Sequence, residues 1–366
     1  MTKILDTLTA LSFLLIGNFL FFACSDSESS AAFPERTDNS AGTEVSNWPQ
    51  WGGPNRDFII TTPKLAESWP ESGPSTVWRR QLGEGYSSVT VMNGHLFTMY
   101  RTGESEVAVS VDVKTGKTLW ENTYSAPADR LDRQYGPGPH ATPLVVDNQV
   151  FTIGATGVLL AMDAENGKTM WQQQLLIEFD GKRSDPIPFE NQVLLRGYAS
   201  SPIAYKETII VTTGGELHSV RAYDRQSGAL VWNNGDFTNN SHASPLLIEV
   251  DGTEQLIVFM AEKIVGLAPE SGDLLWEHPH KTPYGMNIAT PVWGQDNLLF
   301  YSSAYGTGSK GLRLTTDATK PEAREVWANK KMRISFFQCS PLWRYSLRFQ
   351  WRFWHGAIHC DKRQDR

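Results

Sequence analysis

The feature that most constrains this chain is a short motif in which an aspartate, a glycine and a tryptophan recur at fixed spacing. Glycine lies four residues before tryptophan in four copies, and aspartate lies eight residues before it in three of them. The motif residues are Asp112, Gly116 and Trp120; Asp163, Gly167 and Trp171; Asp224, Gly228 and Trp232; and Gly272 with Trp276, where Ala268 replaces the aspartate. A degenerate copy ends at Trp327, and an isolated Trp78 resembles the end of an earlier unit. The chain is therefore built from a repeated unit.

Each part of the motif has a structural explanation. An apolar strand ends at the aspartate, whose carboxylate can accept backbone N–H groups inside the following turn. Glycine supplies a positive φ that closes a hairpin, and a second strand then ends in tryptophan, which can bury a large area against a neighbouring unit. Another pair of short apolar strands precedes each hairpin, as at 140–153 and 200–212. Four short strands thus recur every 42 to 61 residues, measured between successive tryptophans.

This arrangement predicts an all-β fold. Four short strands per repeat at this period are typical of β-propeller blades, and no sustained helical period follows residue 47. We expect a β-propeller of four-stranded antiparallel blades over residues 48–335, with about five blades present and an incomplete ring. An open ring exposes two strand edges, so we expect the chain as written to be poorly stable.

Two segments carry a family resemblance. The motif that runs from Asp112 to Trp120 and the opening segment WPQWGGPNR at residues 48–56 resemble the PQQ-like β-propeller repeat family. The resemblance covers roughly residues 48–335 and implies the propeller fold. The catalytic relatives it implies are quinoprotein dehydrogenases, which hold PQQ and Ca²⁺ on the propeller axis and often carry an adjacent cysteine pair. The three cysteines of this chain are all separated in sequence.

The first residues predict export to the cell envelope. Residues 1–23 read as a secretory signal peptide of the lipoprotein type, in which Cys24 is lipidated and becomes the mature N-terminus. The alternative is an ordinary signal peptide with a chance cysteine. Residues 24–47 are rich in Ser, Asp, Glu and Ala and are expected to form a flexible tether. We therefore expect a lipid-anchored protein of the outer membrane, which contacts the membrane through its anchor only.

The final segment, residues 336–366, differs in character because it is rich in Trp and Arg and has no turn motif. A Trp codon read one base later always encodes glycine, so the +1 frame would place glycine at Trp343, Trp351 and Trp354. With synonymous codons chosen freely, that frame can encode a further blade ending in the repeat's own turn. We interpret the segment as a frameshift product, which makes the propeller truncated. The alternative is a genuine divergent C-terminal segment.

Candidate ligand-binding residues precede the first strand of each blade, where propeller loops surround the central funnel. They are Tyr86, Arg133, Tyr135, His140, Tyr198, His242, Tyr284 and Asn287. His140 and His242 occupy matching repeat positions. Two interpretations of this pair remain open: imidazoles that share an axial pocket, or hydrogen bonds to the loop of a neighbouring blade. The sequence offers no metal-ligand spacing and no catalytic residue set.

The composition and the motifs leave two classes of function. A net charge of −7 argues against a nucleic-acid partner held by bulk charge. The favoured hypothesis is a non-catalytic binding or scaffold module without a cofactor, whose partner is a protein or peptide at the cell envelope. In architecture it is similar to the lipoprotein of the barrel-assembly machinery. The alternative is a quinoprotein dehydrogenase-like protein that binds PQQ with calcium on the axis.

Overall fold

The computed structural model describes residues 47–59, 68–129, 131, 136–175, 197–213, 219–234, 241–316 and 321–335, and the backbone of 348–349 and 360–361. These residues form five four-stranded antiparallel sheets and one two-stranded sheet. The signal peptide, Cys24, nearly all of the tether, Arg133, Tyr135 and most of residues 336–366 lie outside the described residues. Within the described ranges, no helix is long and apolar enough to span a bilayer.

Each four-stranded sheet is one blade, in which the strands pair in sequence order. The strands are β1 Thr90–Met92, β2 His95–Thr102, β3 Ser105–Asp112 and β4 Thr118–Ser125; β5 Leu144–Val146, β6 Gln149–Ile153, β7 Val158–Asp163 and β8 Thr169–Gln174; β9 Ile203–Tyr205, β10 Thr208–Thr212, β11 Val220–Asp224 and β12 Leu230–Asn234; β13 Leu246–Val250, β14 Thr253–Phe259, β15 Lys263–Leu267 and β16 Leu274–Pro279; and β17 Val292–Trp293, β18 Leu298–Ser303, β19 Gly308–Thr316 and β20 Pro321–Asn329. The last pair is β21 Arg348–Phe349 and β22 Cys360–Asp361. The predicted all-β propeller fold is confirmed.

The strand patterns follow from the position of each strand in its blade. Central strands such as β6 and β7 are buried almost without interruption, because neighbouring blades cover both faces. The outer strand β8 is mostly exposed, and Trp171 is its one buried side chain among Thr169–Gln174. The apolar core therefore lies between successive blades, in clusters that combine side chains from two sheets.

The turn of the motif forms as the sequence predicts. Asp112 Oδ1 accepts hydrogen bonds from the backbone N–H of Thr115, at 2.7 Å, and from its hydroxyl, at 2.6 Å. These bonds lower the pKa of the Asp112 carboxyl, the hydroxyl bond contributing most. Gly116 closes the turn with a φ of 71°. Asp224 is held in the same way by Ser227, so the aspartates stabilise turns.

The tryptophan of each of the first three motifs joins its blade to the next one. The Trp120 indole donates to the carbonyl of Ala164, at 2.9 Å, and its ring covers Gly167 so closely that a Cβ there would lie 2.5 Å from ring carbons. The same joint connects Trp171 with Gly228, Trp232 with Gly272, and Trp78 with Gly116. Glycine is therefore required both by the positive φ and by the adjacent ring. Trp78 uses this joint although it lies outside the strands of the first blade.

The ring is not closed. Trp327, the fifth motif tryptophan, is 40% exposed, whereas Trp120, Trp171 and Trp232 are each 8% exposed and Trp276 is 6% exposed. Its neighbour Val326 is also exposed. Among the residues that the structure describes, none covers the outer face of the fifth blade as the following blade covers each earlier one.

Candidate functional site

One end of the propeller carries the loops that were predicted to bind a ligand. Because the strands of a blade alternate in direction, the loop before its first strand and the hairpin between its second and third strands lie at the same end. Tyr284, before β17, and Tyr305, between β18 and β19, confirm this because their rings pack edge to face at 5.1 Å. We call this end the loop face.

A series of hydrogen bonds links successive blades close to the loop face. Ser87 Oγ donates to the carbonyl of Ala141 at 2.8 Å, and the Thr142 N–H donates to Ser201 Oγ at 3.0 Å. One blade further on, the Ser201 N–H donates to Ser244 Oγ at 3.0 Å. These serines satisfy backbone groups of neighbouring blades, so they hold the ring together and are not placed as nucleophiles.

Three of the predicted residues lie on the loop face. Tyr86 is 64% exposed and stacks on His140 with ring centroids 5.4 Å apart and planes within 7° of parallel. The tyrosine ring also covers Gly136, where a side chain would collide with it. Tyr284 is 51% exposed. The loop face thus presents aromatic rings where the first and second blades meet and at the fifth blade.

Two of the predicted residues are buried and do not contribute to the surface. Tyr198 is packed in the core between the second and third blades, and its hydroxyl donates to the carbonyl of Thr213 at 3.4 Å. Burial raises the pKa of the Tyr198 phenol. Asn287 is fully buried, and its amide donates to the carbonyls of Met260 and Ala261. A neighbouring blade covers both positions, and no feature of their local sequence indicates that cover.

His140 and His242 do not share the same surroundings. His140 lies against Tyr86 and Gly138 on the loop face. The backbone N–H of His242 donates to the carbonyl of Asn287, before the next blade, at 3.2 Å. This backbone contact joins His242 to the loop before the fifth blade, and the two interpretations of the imidazoles stay predictions.

The axis of the propeller is occupied by the chain's own N-terminal segment, residues 47–58, which we call the axial segment. Trp48 exchanges two backbone hydrogen bonds with Val91 of the first blade, at 2.7 and 2.9 Å, and the carbonyl of Pro49 accepts from Val145 of the second. The Trp51 indole donates to Thr290 Oγ1, just before the fifth blade, at 2.9 Å. Blades that are not adjacent approach one another only at the axis. A segment that contacts the first, second and fifth blades therefore lies at the axis.

Arg56 anchors the other end of the axial segment. Its guanidinium donates to the carbonyls of Pro202, at 2.9 Å, and Ser201, at 3.4 Å, both just before the third blade. It also donates to Gln50 Oε1 within the segment. Arg56 is 4% exposed, and burial lowers the pKa of its guanidinium to about 9. These hydrogen bonds of the buried cation are all accepted by uncharged oxygens.

A buried polar network joins the first two blades. Glu106 accepts hydrogen bonds from Arg101 and from the Tyr124 hydroxyl, each at 2.8 Å, and from the Ala155 N–H at 3.0 Å. Burial raises the pKa of the Glu106 carboxyl, and the three donors oppose that rise. Sequence reasoning missed this network, because Arg101 and Glu106 lie on paired strands whose register only the fold supplies.

The residues on the axis do not fit a PQQ–calcium centre. Calcium takes six to eight oxygen ligands, carboxylates among them, and the described part of the chain contains no cluster of three His, Cys, Asp or Glu side chains. On the axis, Trp51 and Arg56 of the axial segment hydrogen-bond to the blades. We therefore assign no catalytic step to a quinone in the residues described.

Comparison with known proteins identifies the family. A family model described as the outer membrane protein assembly factor BamB matches residues 70–184 and 107–334. The chain belongs to this family. The predicted PQQ-like propeller repeat is thereby confirmed, and the match spans all five blades of this BamB-family chain.

Individual relatives include both scaffold proteins and enzymes. The BamB of Yersinia pestis is 20% identical over 263 residues, which are 61% of this chain and 65% of that protein. A 1-butanol dehydrogenase (cytochrome c) of Thauera butanivorans is 26% identical over 125 residues, 34% of this chain and 16% of that protein. The crystal structure of BamB from Moraxella catarrhalis superimposes with a TM-score of 0.41 at 16% identity, covering 68% of this chain and 60% of that one. The chain spans less than two thirds of the length of each of these curated relatives.

Proposed function

We propose that this BamB-family chain is a non-catalytic scaffold of the cell envelope, which binds a protein partner through its loop face. The observation that carries the proposal is the contrast between the two places where a propeller can bind a ligand. On the axis, the chain's own Trp51 and Arg56 already hydrogen-bond to the blades. The loop face exposes the rings of Tyr86, Tyr284 and Tyr305.

The chemistry of the loop face suits a protein partner. Tyrosine supplies a large, rigid apolar surface with a polar hydroxyl, and it is enriched where proteins bind one another. Tyr86 is held by its stack on His140, and Tyr284 by its contact with Tyr305, so both rings are ordered before a partner arrives. Ordered anchors lose little conformational entropy on binding. The name of the family, outer membrane protein assembly factor, indicates the class of partner, a component of outer-membrane assembly.

Site-specific photo-crosslinking in the native host tests this proposal. A photoreactive residue is placed at Tyr86 or Tyr284 on the loop face, and at Asn93 or Asp296 in turns at the opposite end of the propeller as matched controls. Crosslinks to an outer-membrane assembly protein from the loop face, and not from the opposite end, would support the proposal. Equal crosslinking from both ends, or crosslinking only from Asn93 and Asp296, would refute it.

A titration with PQQ and Ca²⁺ separates this function from the dehydrogenase alternative. We expect no bound quinone spectrum and no dye reduction from the chain, because its axis is already occupied. Stoichiometric quinone binding with alcohol-dependent dye reduction would replace the scaffold function with an oxidoreductase. Lipidation of Cys24 is a separate proposal. Loss of lipid incorporation and of membrane association in Cys24→Ser would support it, and retention of both would contradict it.

A further inference from the structure

The axial segment is a folded unit with its own internal contacts. Gly52 and Gly53 have φ values of 77° and 79°, and the ring of Trp48 lies so close to Gly53 that a side chain there would collide with it. The Phe58 N–H donates to the carbonyl of Gly52 at 2.9 Å, and the Phe58 ring packs edge to face against Trp51. The paired glycines therefore fold the segment back on itself and set the positions of its aromatic rings.

The contacts between this unit and the blades resemble those of a bound peptide. Trp48 adds to the inner strand β1 through an antiparallel bridge, as peptides do at an exposed strand. The indole of Trp51 and the guanidinium of Arg56 then reach an acceptor at the fifth blade and two carbonyls at the third. Each contact uses a group that a separate peptide could present equally well.

We propose that the axial channel is a peptide-binding site, whose ligand in this molecule is the chain's own residues 47–58. The recognised peptide combines three groups: the backbone of Trp48, which pairs with a strand, the indole N–H of Trp51 and the guanidinium of Arg56. The covalent connection to the first blade supplies a high local concentration. This proposal concerns the axis and is independent of the loop-face function.

Cutting that connection in the otherwise intact chain tests the proposal. A protease site is introduced within residues 60–67, the folded protein is cleaved, and release of the N-terminal fragment is followed by size exclusion and native mass spectrometry. Two variants remove axial contacts: Arg56→Ala removes the buried fork, and Trp51→Phe removes the indole donor while keeping an aromatic ring. Asn55→Ala is the matched control, because Asn55 is an exposed residue of the same segment.

We expect the fragment to stay bound to the cleaved wild type and to Asn55→Ala. Loss of a buried charged hydrogen bond should accelerate release from Arg56→Ala by about tenfold to a hundredfold, and Trp51→Phe should have a smaller effect in the same direction. Circular dichroism after cleavage shows whether the blades remain folded, and if Arg56→Ala unfolds them, the comparison rests on Trp51→Phe. Immediate loss of the fragment from the wild type would overturn the proposal. Equal retention by the wild type and all three variants would overturn it too.

Discussion

The packing of Trp120 on Gly167, which joins the first blade to the second, leads to a specific prediction. This glycine has a φ of 72°, and a Cβ added to it would lie 2.5 Å from Cδ2 and Cε3 of Trp120. Gly167→Ala therefore introduces two costs. A side chain in the left-handed region costs about 1–2 kcal/mol, and displacing a well-packed ring costs about 1–3 kcal/mol more. We expect a total loss of about 2–5 kcal/mol in the free energy of unfolding.

A second glycine separates the two costs. Gly94 has a φ of 81°, close to that of Gly167, but no atom lies within 4 Å of the position that its Cβ would take. Gly94→Ala should therefore show the backbone cost alone, about 1–2 kcal/mol. The difference between the two variants measures the contact between the first and second blades.

Urea unfolding followed by far-UV circular dichroism supplies the free energies. Repeating Gly167→Ala in a Trp120→Leu background completes a double-mutant cycle. Because leucine is smaller and flexible, the alanine should cost less in that background than in the wild type. If Gly167→Ala costs no more than Gly94→Ala, or if its cost is the same with and without Trp120, the packing of Trp120 on Gly167 does not stabilise the contact between the blades.

Two further predictions concern buried titratable groups. Burial lowers the pKa of His280 from 6.5 to about 3, so between those values the unfolded chain binds a proton that the folded chain does not. Stability should therefore fall as the pH decreases below about 6.5, by roughly 2–3 kcal/mol near pH 4.5; urea titrations should show a weaker dependence in His280→Gln, and an unchanged dependence would contradict the assignment. Glu106→Gln should cost about 3–5 kcal/mol because Arg101 is left buried without its carboxylate. The same unfolding assay measures that loss, and a cost below about 1 kcal/mol would show that the pair does not stabilise the fold.

Local chemistry explains which parts of the fold could be predicted. The Asp112 turn and the Gly116 φ depend on residues a few positions apart, so their spacing is visible in the sequence. The burial of Tyr198 and Asn287 depends on a neighbouring blade, and the positions before the inner strands look alike whether or not that blade covers them. The distinction needs the register between sheets, which no local pattern contains.

The axial segment shows the same limit at a larger scale. Its sequence resembles the opening of family members, but its role cannot be predicted because it has neither a strand period nor a helical period. A usable signal was present, namely the adjacent pair Gly52 and Gly53 between Trp51 and Arg56 in a segment without strand alternation. Adjacent glycines beside large side chains indicate a backbone that must pass close to rings, as Trp48 and Gly53 do.

The exposed Trp327 bears on the interpretation of residues 336–366. Its ring packs on Phe300 of its own blade, and within the described residues the only glycine it covers is Gly311 of that blade. Trp78, Trp120, Trp171 and Trp232 each cover a glycine turn of the following blade. Trp276 covers a glycine of its own blade, Gly266, but is buried against side chains of the fifth blade. The exposure of Trp327 therefore sets the fifth blade apart and fits a propeller that continues. We propose that the continuation is encoded in the +1 frame. The nucleotide sequence across codons 330–370 should then show an open +1 frame with glycine at Trp343, and the restored protein should shield Trp327 from a soluble quencher. A confirmed original frame with no motif downstream would contradict this proposal. The outer face of the fifth blade would then have to be covered by something other than a sixth blade.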